Sequence, residues 1–315
     1  MYKKNIFFFI FVSFFLIILS LKFIDLVLQK KYGLGDPILY ESSIKHGYLL
    51  KPNQKILRRG NEVIINNKGM RTTEKWPKKS NKKKIIFFGD SVTYGGSIVS
   101  NQDLFTEKIC KILNEDLKKE FVCGNYGVNG YSLESITRLI KFRDIYDEDF
   151  IIVTIIANNL QRSFHNIASQ PFWSKRVPTF FPALTEVFFI YLEKFKNKVK
   201  YNFENELDEK ENKKYYLYSI KNLNEALKES NKKYIVFYSP EYGEILDANH
   251  KNNYLKSLIK NHIDNFYDIS EELKNYQIEE LFYDSIHLTE KGHTIYSQIM
   301  SSEISNILYI NSNSK

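Results

Sequence analysis

Short apolar segments alternate with helical patterns over about 230 residues of the chain. Five segments have the length and continuous hydrophobicity of fully buried strands: Ile85–Phe88, Glu120–Cys123, Phe150–Ile156, Tyr234–Tyr238 and Ile263–Asp268. Helical patterns separate or follow them at Asp103–Leu117, Ser132–Ile145, Tyr215–Glu229, Lys251–Asn261 and Thr289–Ile307. This alternation predicts an α/β fold, in which helices cover both faces of a central parallel sheet of about five strands.

The N-terminal segment is apolar enough to cross a membrane. Ile6–Leu21 contains no charged residue, and apolar positions continue after Lys22 as far as Leu28. The 23 residues of Ile6–Leu28 would form a helix of about 34 Å, which is enough to span a bilayer. Lys22 and Asp25 lie three positions apart, so they can pair on one face of this helix.

We predict that this segment is a retained anchor, and a cleaved signal peptide is the alternative. Lys3 and Lys4 precede it, as in a signal sequence, but no A-x-A-like cleavage site follows. Both alternatives direct the rest of the chain across the membrane. Lysines lie on both sides of the segment and do not decide its orientation. We expect a short N-terminus inside and an extracytoplasmic body, in the periplasm or at the cell surface.

The pattern divides the chain into an anchor (1–29), a linker with one or two edge strands (30–80) and an α/β domain (81–312). An insertion at about 160–214 interrupts the α/β alternation and is longer than most connections in compact domains. Because it is rich in aromatic residues, we interpret it as a lid over the site. A helical insertion packed on the body and a segment that dips into the membrane surface are the alternatives.

Composition and charge exclude several classes of protein. The 315 residues are 43% hydrophobic and 26% charged, which is typical of a globular chain and excludes collagen and disordered proteins. The net charge of +8 comes from lysines spread along the chain, so we expect no nucleic-acid partner. Two cysteines exclude a disulfide scaffold and a cysteine-based zinc site. Cys110 and Cys123 could pair, but two buried thiols are the favoured interpretation.

Polar residues and glycines follow four of the predicted strands, where parallel sheets bind ligands. They are Gly89-Asp90-Ser91, the loop Asn125–Ser132 with Gly130, Ala157-Asn158-Asn159, and the loop Tyr283–Thr289 with Asp284 and His287. A serine at a strand-to-helix turn has an accessible hydroxyl near backbone N–H groups that can stabilise an oxyanion. An Asp three residues before a His can orient the imidazole through Nδ1, which leaves Nε2 to deprotonate the serine.

With these motifs the chain resembles the SGNH (GDSL-type) hydrolase family, from about residue 84 to residue 307. The resemblance implies a flavodoxin-like, three-layer α/β/α fold and catalysis by a serine, histidine and aspartate. It implies that Ser91 is the nucleophile and that Asp284 and His287 complete the triad. It also implies that the oxyanion is held by the Ser91 N–H, the Gly130 N–H and the Asn158 side chain.

One motif departs from the family pattern. In the family motif that corresponds to Ala157-Asn158-Asn159, the asparagine usually stands between Gly and Asp. This chain has Ala157 and Asn159 at those two positions. The loss of a carboxylate behind the oxyanion loop is expected to alter the loop. We expect Asp90 to fix its own turn.

Other polar candidates lie outside the four motifs. Arg162 and His165, at the start of the insertion, are candidates to reach the substrate. We expect His293 to lie on the surface of the last helix. His46, His250 and His262 have no partner pattern and are interpreted as solvated.

The sequence therefore predicts a membrane-anchored serine esterase without a cofactor or a metal. Its substrate would be an acyl ester, with O-acetyl as the favoured group, on an envelope glycan or lipid. That substrate rests on the predicted topology and on the resemblance. An O-acyltransferase on the same scaffold and a catalytically inactive module that binds glycan or supports an assembly are the alternatives.

Overall fold

The structure is a computed structural model that describes residues 2–77, 81–118, 120–143, 147–164, 179–201, 209–247 and 250–310. Its first part contains α1 (Tyr2–Tyr32), β1 (Tyr40–Ser43), β2 (Gly47–Leu50), β3 (Gln54–Arg58) and β4 (Asn61–Ile65). There follow β5 (Lys83–Gly89), α2 (Ser91–Tyr94), a 3-10 turn (Asn101–Asp103), α3 (Phe105–Leu117), β6 (Phe121–Gly127), α4 (Leu133–Phe142), β7 (Phe150–Ile155) and α5 (Asn158–Gln161). The last part contains α6 (Pro182–Tyr201), α7 (Glu209–Glu229), β8 (Lys233–Tyr238), α8 (Tyr242–Leu246), α9 (Asn253–Lys260), β9 (Phe266–Asp268), α10 (Ser270–Leu273), α11 (Ile278–Leu281) and α12 (Glu290–Ile310).

The central sheet has the strand order β6-β5-β7-β8-β9, and every neighbouring pair is parallel. This confirms the predicted three-layer α/β/α fold with five parallel strands. In chain order, the strand after β5 is β6, which lies on one side of β5. The next strand, β7, lies on the opposite side of β5. The sheet therefore has a topological switch point at the carboxyl ends of β5 and β7, which is where such folds bind ligands.

Both faces of the sheet are buried, as the continuous apolar segments predict. Along β5, Ile86 and Phe88 belong to one core cluster, whereas Ile85 and Phe87 belong to the other. The six residues of β7 are all buried. Helices α4 and α7 pack against each other on the first face, and α3 and α12 pack against each other on the second.

The segment between α1 and the sheet differs from the predicted linker with edge strands. It forms two antiparallel hairpins, β1–β2 and β3–β4, and neither hairpin joins the central sheet. Their apolar side chains are buried, with Tyr48 at 2% exposure and Val63 at 0%, and they extend the first core cluster. The reason is that buried apolar residues alternate with less buried ones near the ends of β2 and β4, so each hairpin can bury one face against the domain.

The prediction of two buried thiols is wrong, because Cys110 and Cys123 form a disulfide. Cys110 lies on α3 and Cys123 lies on β6, and these elements pack against each other. The short connection between the helix and the strand brings their Cα atoms to 5.9 Å, a normal disulfide spacing.

Helix α1 projects its apolar side chains outward, and its stretch Ile6–Tyr32 is long and apolar enough to span a membrane. A membrane anchor and a signal sequence share that property. Asp25, by contrast, is fully buried against the start of α6.

Of the predicted insertion, α6 and the start of α7 are described, whereas residues 165–178 and 202–208 lie outside the described residues. The proposed domain boundaries remain predictions.

Candidate active site

Ser91 is the first residue of α2, and only Asp90 separates it from the end of β5. The turn is tight: a Cβ on Gly89 would lie 2.0 Å from Thr93 Oγ1 and 2.8 Å from the Thr154 carbonyl oxygen. Only glycine therefore lets the strand end approach both α2 and β7 so closely. Asp90 caps the helix, because its Oδ1 accepts the Val92 N–H at 3.0 Å. The Ser91 side chain consequently stands at the carboxyl edge of the sheet, and the residue is 8% exposed.

The loop before α12 brings an imidazole to that serine. His287 Nε2 lies 2.8 Å from Ser91 Oγ, and His287 Nδ1 lies 2.7 Å from Asp284 Oδ2. The other carboxylate oxygen of Asp284 accepts the backbone N–H groups of Ile286 at 3.0 Å and of His287 at 2.8 Å. The loop thus holds the carboxylate by its own backbone, and the carboxylate in turn fixes which imidazole nitrogen faces Ser91.

The electrostatics of this chain of hydrogen bonds favour an ionised aspartate. Burial alone raises the pKa of Asp284, but the Ile286 N–H, the His287 ring and the His287 N–H together lower it below its usual value. An ionised Asp284 keeps the proton of neutral His287 on Nδ1. Nε2 is then free to accept the proton of the serine hydroxyl.

A cleft of about 500 Å³ opens over Ser91 and His287. The walls come from the segment after α1, the tip of the β3–β4 hairpin, the loop after α2, the first turns of α6, and the loop before α12. Its lining includes Gly35, Pro37, Ile38, Arg58, Arg59, Ile98, Asn129, Pro182, Thr185, Glu186, Ile190 and Tyr283. The cleft is therefore mostly apolar and includes the polar groups of Ser91 and His287, as is usual for a small-molecule site.

The other two residues that sequence analysis proposes for the oxyanion lie at neighbouring strand ends. Gly130 lies in the loop after β6 with a φ of +77°, a conformation that favours glycine. Asn158 is half-buried at the start of α5, directly after β7. Asn129 lines the cleft beside Gly130. The roles of Gly130 and Asn158 in holding an oxyanion remain a proposal.

Asn159, the departure from the family pattern, joins a buried polar cluster behind Ser91. Its Nδ2 donates to Asp90 Oδ2 at 3.1 Å and to the Tyr131 carbonyl at 2.9 Å. Its Oδ1 accepts the Ile156 N–H at 2.7 Å. The amide uses both of its ends, which a carboxylate at this position could not do.

Arg162 completes this cluster and is not among the described residues that line the cleft. Its Nη1 lies 2.6 Å from Asp90 Oδ2, so it neutralises the carboxylate that caps α2. Asp90 therefore does more than fix its own turn, because it ties α2 to α5 and to the start of the insertion. His165, the other candidate there, lies outside the described residues.

Arg71 is a positioning residue that the sequence did not single out. It is fully buried, and its guanidinium donates to the Tyr94 carbonyl at 2.6 Å, the Gly96 carbonyl at 2.7 Å and the Val99 carbonyl at 2.6 Å. These carbonyls belong to the last residue of α2 and to the loop that follows it, which lines the cleft. One planar side chain thus fixes the wall beside the serine.

Two histidine predictions are wrong. His293 is fully buried rather than on the surface, because its Nδ1 accepts the Phe105 N–H at 3.2 Å and its ring stacks on Phe105. Burial, with smaller contributions from neighbouring cations, lowers its pKa to about 3. His46 is also buried, since its ring contacts the Ser43 hydroxyl at 3.0 Å.

The histidines not yet discussed, as far as the structure describes them, are not grouped with other possible metal ligands. His250 and His262 are half-buried. Among the residues that the structure describes, no three His, Cys, Asp or Glu side chains are grouped to hold a metal ion.

Solved structures that are similar to this chain include several esterases and lipases. A lipase/acylhydrolase from Enterococcus faecalis is 16% identical, with 71% of this chain and 96% of that chain covered and a TM-score of 0.45. Axe2, an acetylxylan esterase from Geobacillus stearothermophilus, is 17% identical, with 70% and 94% covered and a TM-score of 0.44. The lipase Lip_vut3 from a goat rumen metagenome is 16% identical, with 70% and 97% covered and a TM-score of 0.43. No curated protein matches the chain.

A protein-family model also matches most of the chain. The model of the family described as GDSL-like Lipase/Acylhydrolase matches residues 85–299, more than two thirds of the chain. The matched range begins in the strand that precedes Ser91 and ends beyond the loop of His287, so it contains the serine, the imidazole and the carboxylate that meet at the cleft. This chain therefore belongs to the GDSL-like lipase/acylhydrolase family.

Proposed function

We propose that the protein is a serine esterase that cleaves acyl esters, with O-acetyl favoured, on an envelope glycan or lipid. The observation that supports this most directly is the hydrogen-bonded line from Ser91 Oγ through His287 to Asp284, at 2.8 Å and 2.7 Å. Nucleophile, base and orienting carboxylate occur there in the order that acyl transfer requires. The family is one of ester hydrolases, which fits the proposal.

In the proposed mechanism, Ser91 Oγ attacks the ester carbonyl while His287 Nε2 takes the hydroxyl proton. The carbonyl carbon becomes tetrahedral, and the Ser91 N–H, the Gly130 N–H and the Asn158 side chain hold the negative oxygen. One such donor contributes about 2.7–4 kcal/mol to the transition state in another serine hydrolase. His287 then gives its proton to the alcohol oxygen as the ester C–O bond breaks. Water attacks the acyl-Ser91 ester, and the same histidine moves the second proton.

We also propose that α1 is a retained anchor and that the catalytic body lies outside the cytoplasm. The Cys110–Cys123 disulfide supports an oxidising compartment. The burial of Asp25 against α6 supports retention, because a cleaved signal would leave that contact empty. Intact mass of the protein isolated from its membrane measures retention directly: a mass that lacks α1 would contradict it.

The test of the esterase is hydrolysis of p-nitrophenyl acetate by the full chain in detergent. Ser91→Ala and His287→Ala should each reduce turnover by about a thousandfold or more. Ser302→Ala, on the exposed side of α12, is the matched control and should keep parental turnover.

Labelling by a fluorophosphonate probe separates the alternatives. A probe that reacts with Ser91 in the absence of hydrolysis would favour transfer of the acyl group to an acceptor other than water. Folded protein that neither hydrolyses the ester nor reacts with the probe would refute the esterase and favour an inactive binding module.

A further inference from the structure

The base of α1 is joined to α6 by polar contacts that extend over several turns. Asp25 Oδ1 accepts the Leu184 N–H at 3.0 Å, and Lys22 Nζ donates to the Phe180 carbonyl at 2.6 Å. Beyond the end of α1, the Gly35 N–H donates to Glu186 at 2.5 Å. The apolar N-terminal helix is therefore built into the catalytic body at this seam.

The same seam forms one wall of the cleft. Gly35 and Pro37 follow α1 by a few residues, and both line the cavity above Ser91. Pro182 and Ile190, on the first turns of α6, line it from the other side of the seam. The cleft therefore opens immediately beside the end of the helix that we propose to cross the membrane.

Both sides of this seam carry exposed apolar side chains. On α6 and the residues before it, the exposed fractions are 64% for Phe180, 58% for Phe188 and 68% for Tyr191. On the outer part of α1 they are 69% for Phe23, 46% for Ile24, 47% for Leu26 and 44% for Val27. Exposed apolar side chains on a helix that packs against a proposed membrane span are best covered by the bilayer itself.

Basic residues lie where the headgroups of that bilayer would be. Lys30 and Lys31 lie on the last turn of α1. Arg59 is exposed, lines the cleft, and its backbone N–H donates to the Tyr32 carbonyl at 2.6 Å. The neighbouring Arg58 is instead paired with Glu186. Exposed cations at a membrane surface attract anionic headgroups.

We propose that the cleft takes its substrate from the bilayer: an acyl ester carried by an anionic membrane lipid enters along the α1–α6 seam, with its headgroup against Arg59. The inference rests on the proposed esterase activity of Ser91 and narrows its substrate from glycan or lipid to lipid. The chemistry is unchanged: the lipid alcohol leaves with a proton from His287, and water releases the acid.

The first test compares hydrolysis of an ester in the enzyme's own bilayer with hydrolysis of the same ester in a separate bilayer. The full chain is reconstituted in phosphatidylcholine vesicles that contain O-acetyl phosphatidylglycerol, and acetate release is measured. In a second sample, enzyme and acetylated lipid are placed in separate vesicles. We expect hydrolysis only when both share a bilayer. Equal rates in the two samples, or release from neither while p-nitrophenyl acetate is hydrolysed, would overturn the lipid proposal and leave the esterase standing.

The second test uses the apolar surface. Phe188→Glu with Tyr191→Glu should lower release from the acetylated lipid by about tenfold, since burial of large apolar side chains in the bilayer is lost. Hydrolysis of p-nitrophenyl acetate should stay near the parental rate. Tyr218→Glu, at a similarly exposed tyrosine of α7, is the matched control and should change neither rate. A double variant that hydrolyses the lipid ester as fast as the parent would contradict the proposal.

The third test uses the charge. Arg59→Gln should lower the rate on O-acetyl phosphatidylglycerol relative to neutral 1,2-dioleoyl-3-acetylglycerol by about fivefold. An unchanged ratio would refute the headgroup assignment. A parent enzyme that hydrolyses neither the lipid esters nor p-nitrophenyl acetate would refute the esterase itself, and the lipid proposal with it.

Discussion

Replacing Asn159 by aspartate, the residue that the family usually has after the asparagine corresponding to Asn158, should lower the stability of this protein. The Asn159 amide lies between two acceptors, Asp90 Oδ2 at 3.1 Å and the Tyr131 carbonyl at 2.9 Å, and the residue is 1% exposed. In Asn159→Asp, a carboxyl oxygen would replace the nitrogen that donates to both. If the new carboxyl were ionised, it would face the Asp90 carboxylate in the interior, with Arg162 as the neighbouring cation.

The size of the effect follows from the spacing. Two unit charges about 3 Å apart repel by roughly 5 kcal/mol at an effective dielectric constant of about 20. The new carboxyl avoids this by staying protonated, which at pH 7 costs about 4 kcal/mol relative to an ordinary aspartate. Its single O–H replaces two N–H donors, so about 1 kcal/mol of hydrogen bonding is also lost. Pairing with Arg162 offsets part of the sum, and we expect a loss of about 3–5 kcal/mol at pH 7.

The pH dependence of the loss has a definite sign. The pKa of the new carboxyl is raised by folding, so above a pH of about 4 the folded variant binds more protons than the unfolded one. Its stability relative to the parent therefore falls as the pH rises, by about 1.4 kcal/mol per unit, until the raised pKa is reached. At pH 5 the expected loss is only about 1–2 kcal/mol.

The assay is thermal unfolding followed by near-ultraviolet circular dichroism at pH 5, 6 and 7. At pH 7 the variant should unfold about 6–12 °C below the parent, and the gap should narrow toward pH 5. Asn275→Asp, at an exposed turn, is the matched control and should unfold with the parent at every pH. A variant as stable as the parent at pH 7, or a gap that narrows as pH rises, would refute the reasoning.

Three further predictions concern single features of the structure. Asp284→Asn should reduce the kcat of p-nitrophenyl acetate hydrolysis by on the order of 10³–10⁴ with little change in thermal stability, because His287 loses the carboxylate that fixes its tautomer; a loss below tenfold would contradict this. His293→Gln should make stability fall less steeply between pH 6 and pH 4, by up to about 1.4 kcal/mol per pH unit. The reason is that the buried ring, with a pKa of about 3, stays neutral in the folded protein while the unfolded chain takes up a proton. An equal pH dependence of the unfolding free energy in parent and variant, measured by urea titration, would argue against it. Replacing Cys110 and Cys123 by alanine should lower the free energy of unfolding by about 3 kcal/mol, measured by urea titration, as expected for a sequence separation of 13; an unchanged midpoint would count against a structural disulfide.

The sequence predicts the sheet because its signals are local and repeated. The apolar segments of β5 and β7 need no distant partner to be recognised, and both are found within one or two residues of the predicted bounds. The approach of Ser91 to His287 is predicted for a related reason. Segments that leave the carboxyl ends of parallel strands meet at one edge of the sheet, and the loop of His287 returns to that edge after α10 and α11.

The features that the sequence does not reveal depend on distant contacts. Arg71 stands in an ordinary polar segment, and its importance comes from three carbonyls that lie 23 to 28 positions later. In the sequence, His293 occupies a position typical of an exposed helix residue. Only the folded structure shows that it contacts Phe105. The cluster of Asn159 and Arg162 likewise becomes visible only when the Asp90 carboxylate is brought behind α5. Periodicity alone cannot report such pairings.

The contact between Asp25 and Leu184 also sets an order on the maturation of the protein. The two residues are 159 positions apart, so Asp25 leaves the ribosome roughly 8–30 s before its partner at ordinary rates of synthesis. During that interval Lys22, three positions away on the same helix, is the cation available to pair with Asp25. In the folded structure its Nζ still lies 3.5 Å from Asp25 Oδ2. The N-terminal helix can thus be inserted early as a nearly neutral segment. The segment that follows the helix, with Gly35 and Pro37, forms the cleft wall together with α6 only when α6 has been synthesised.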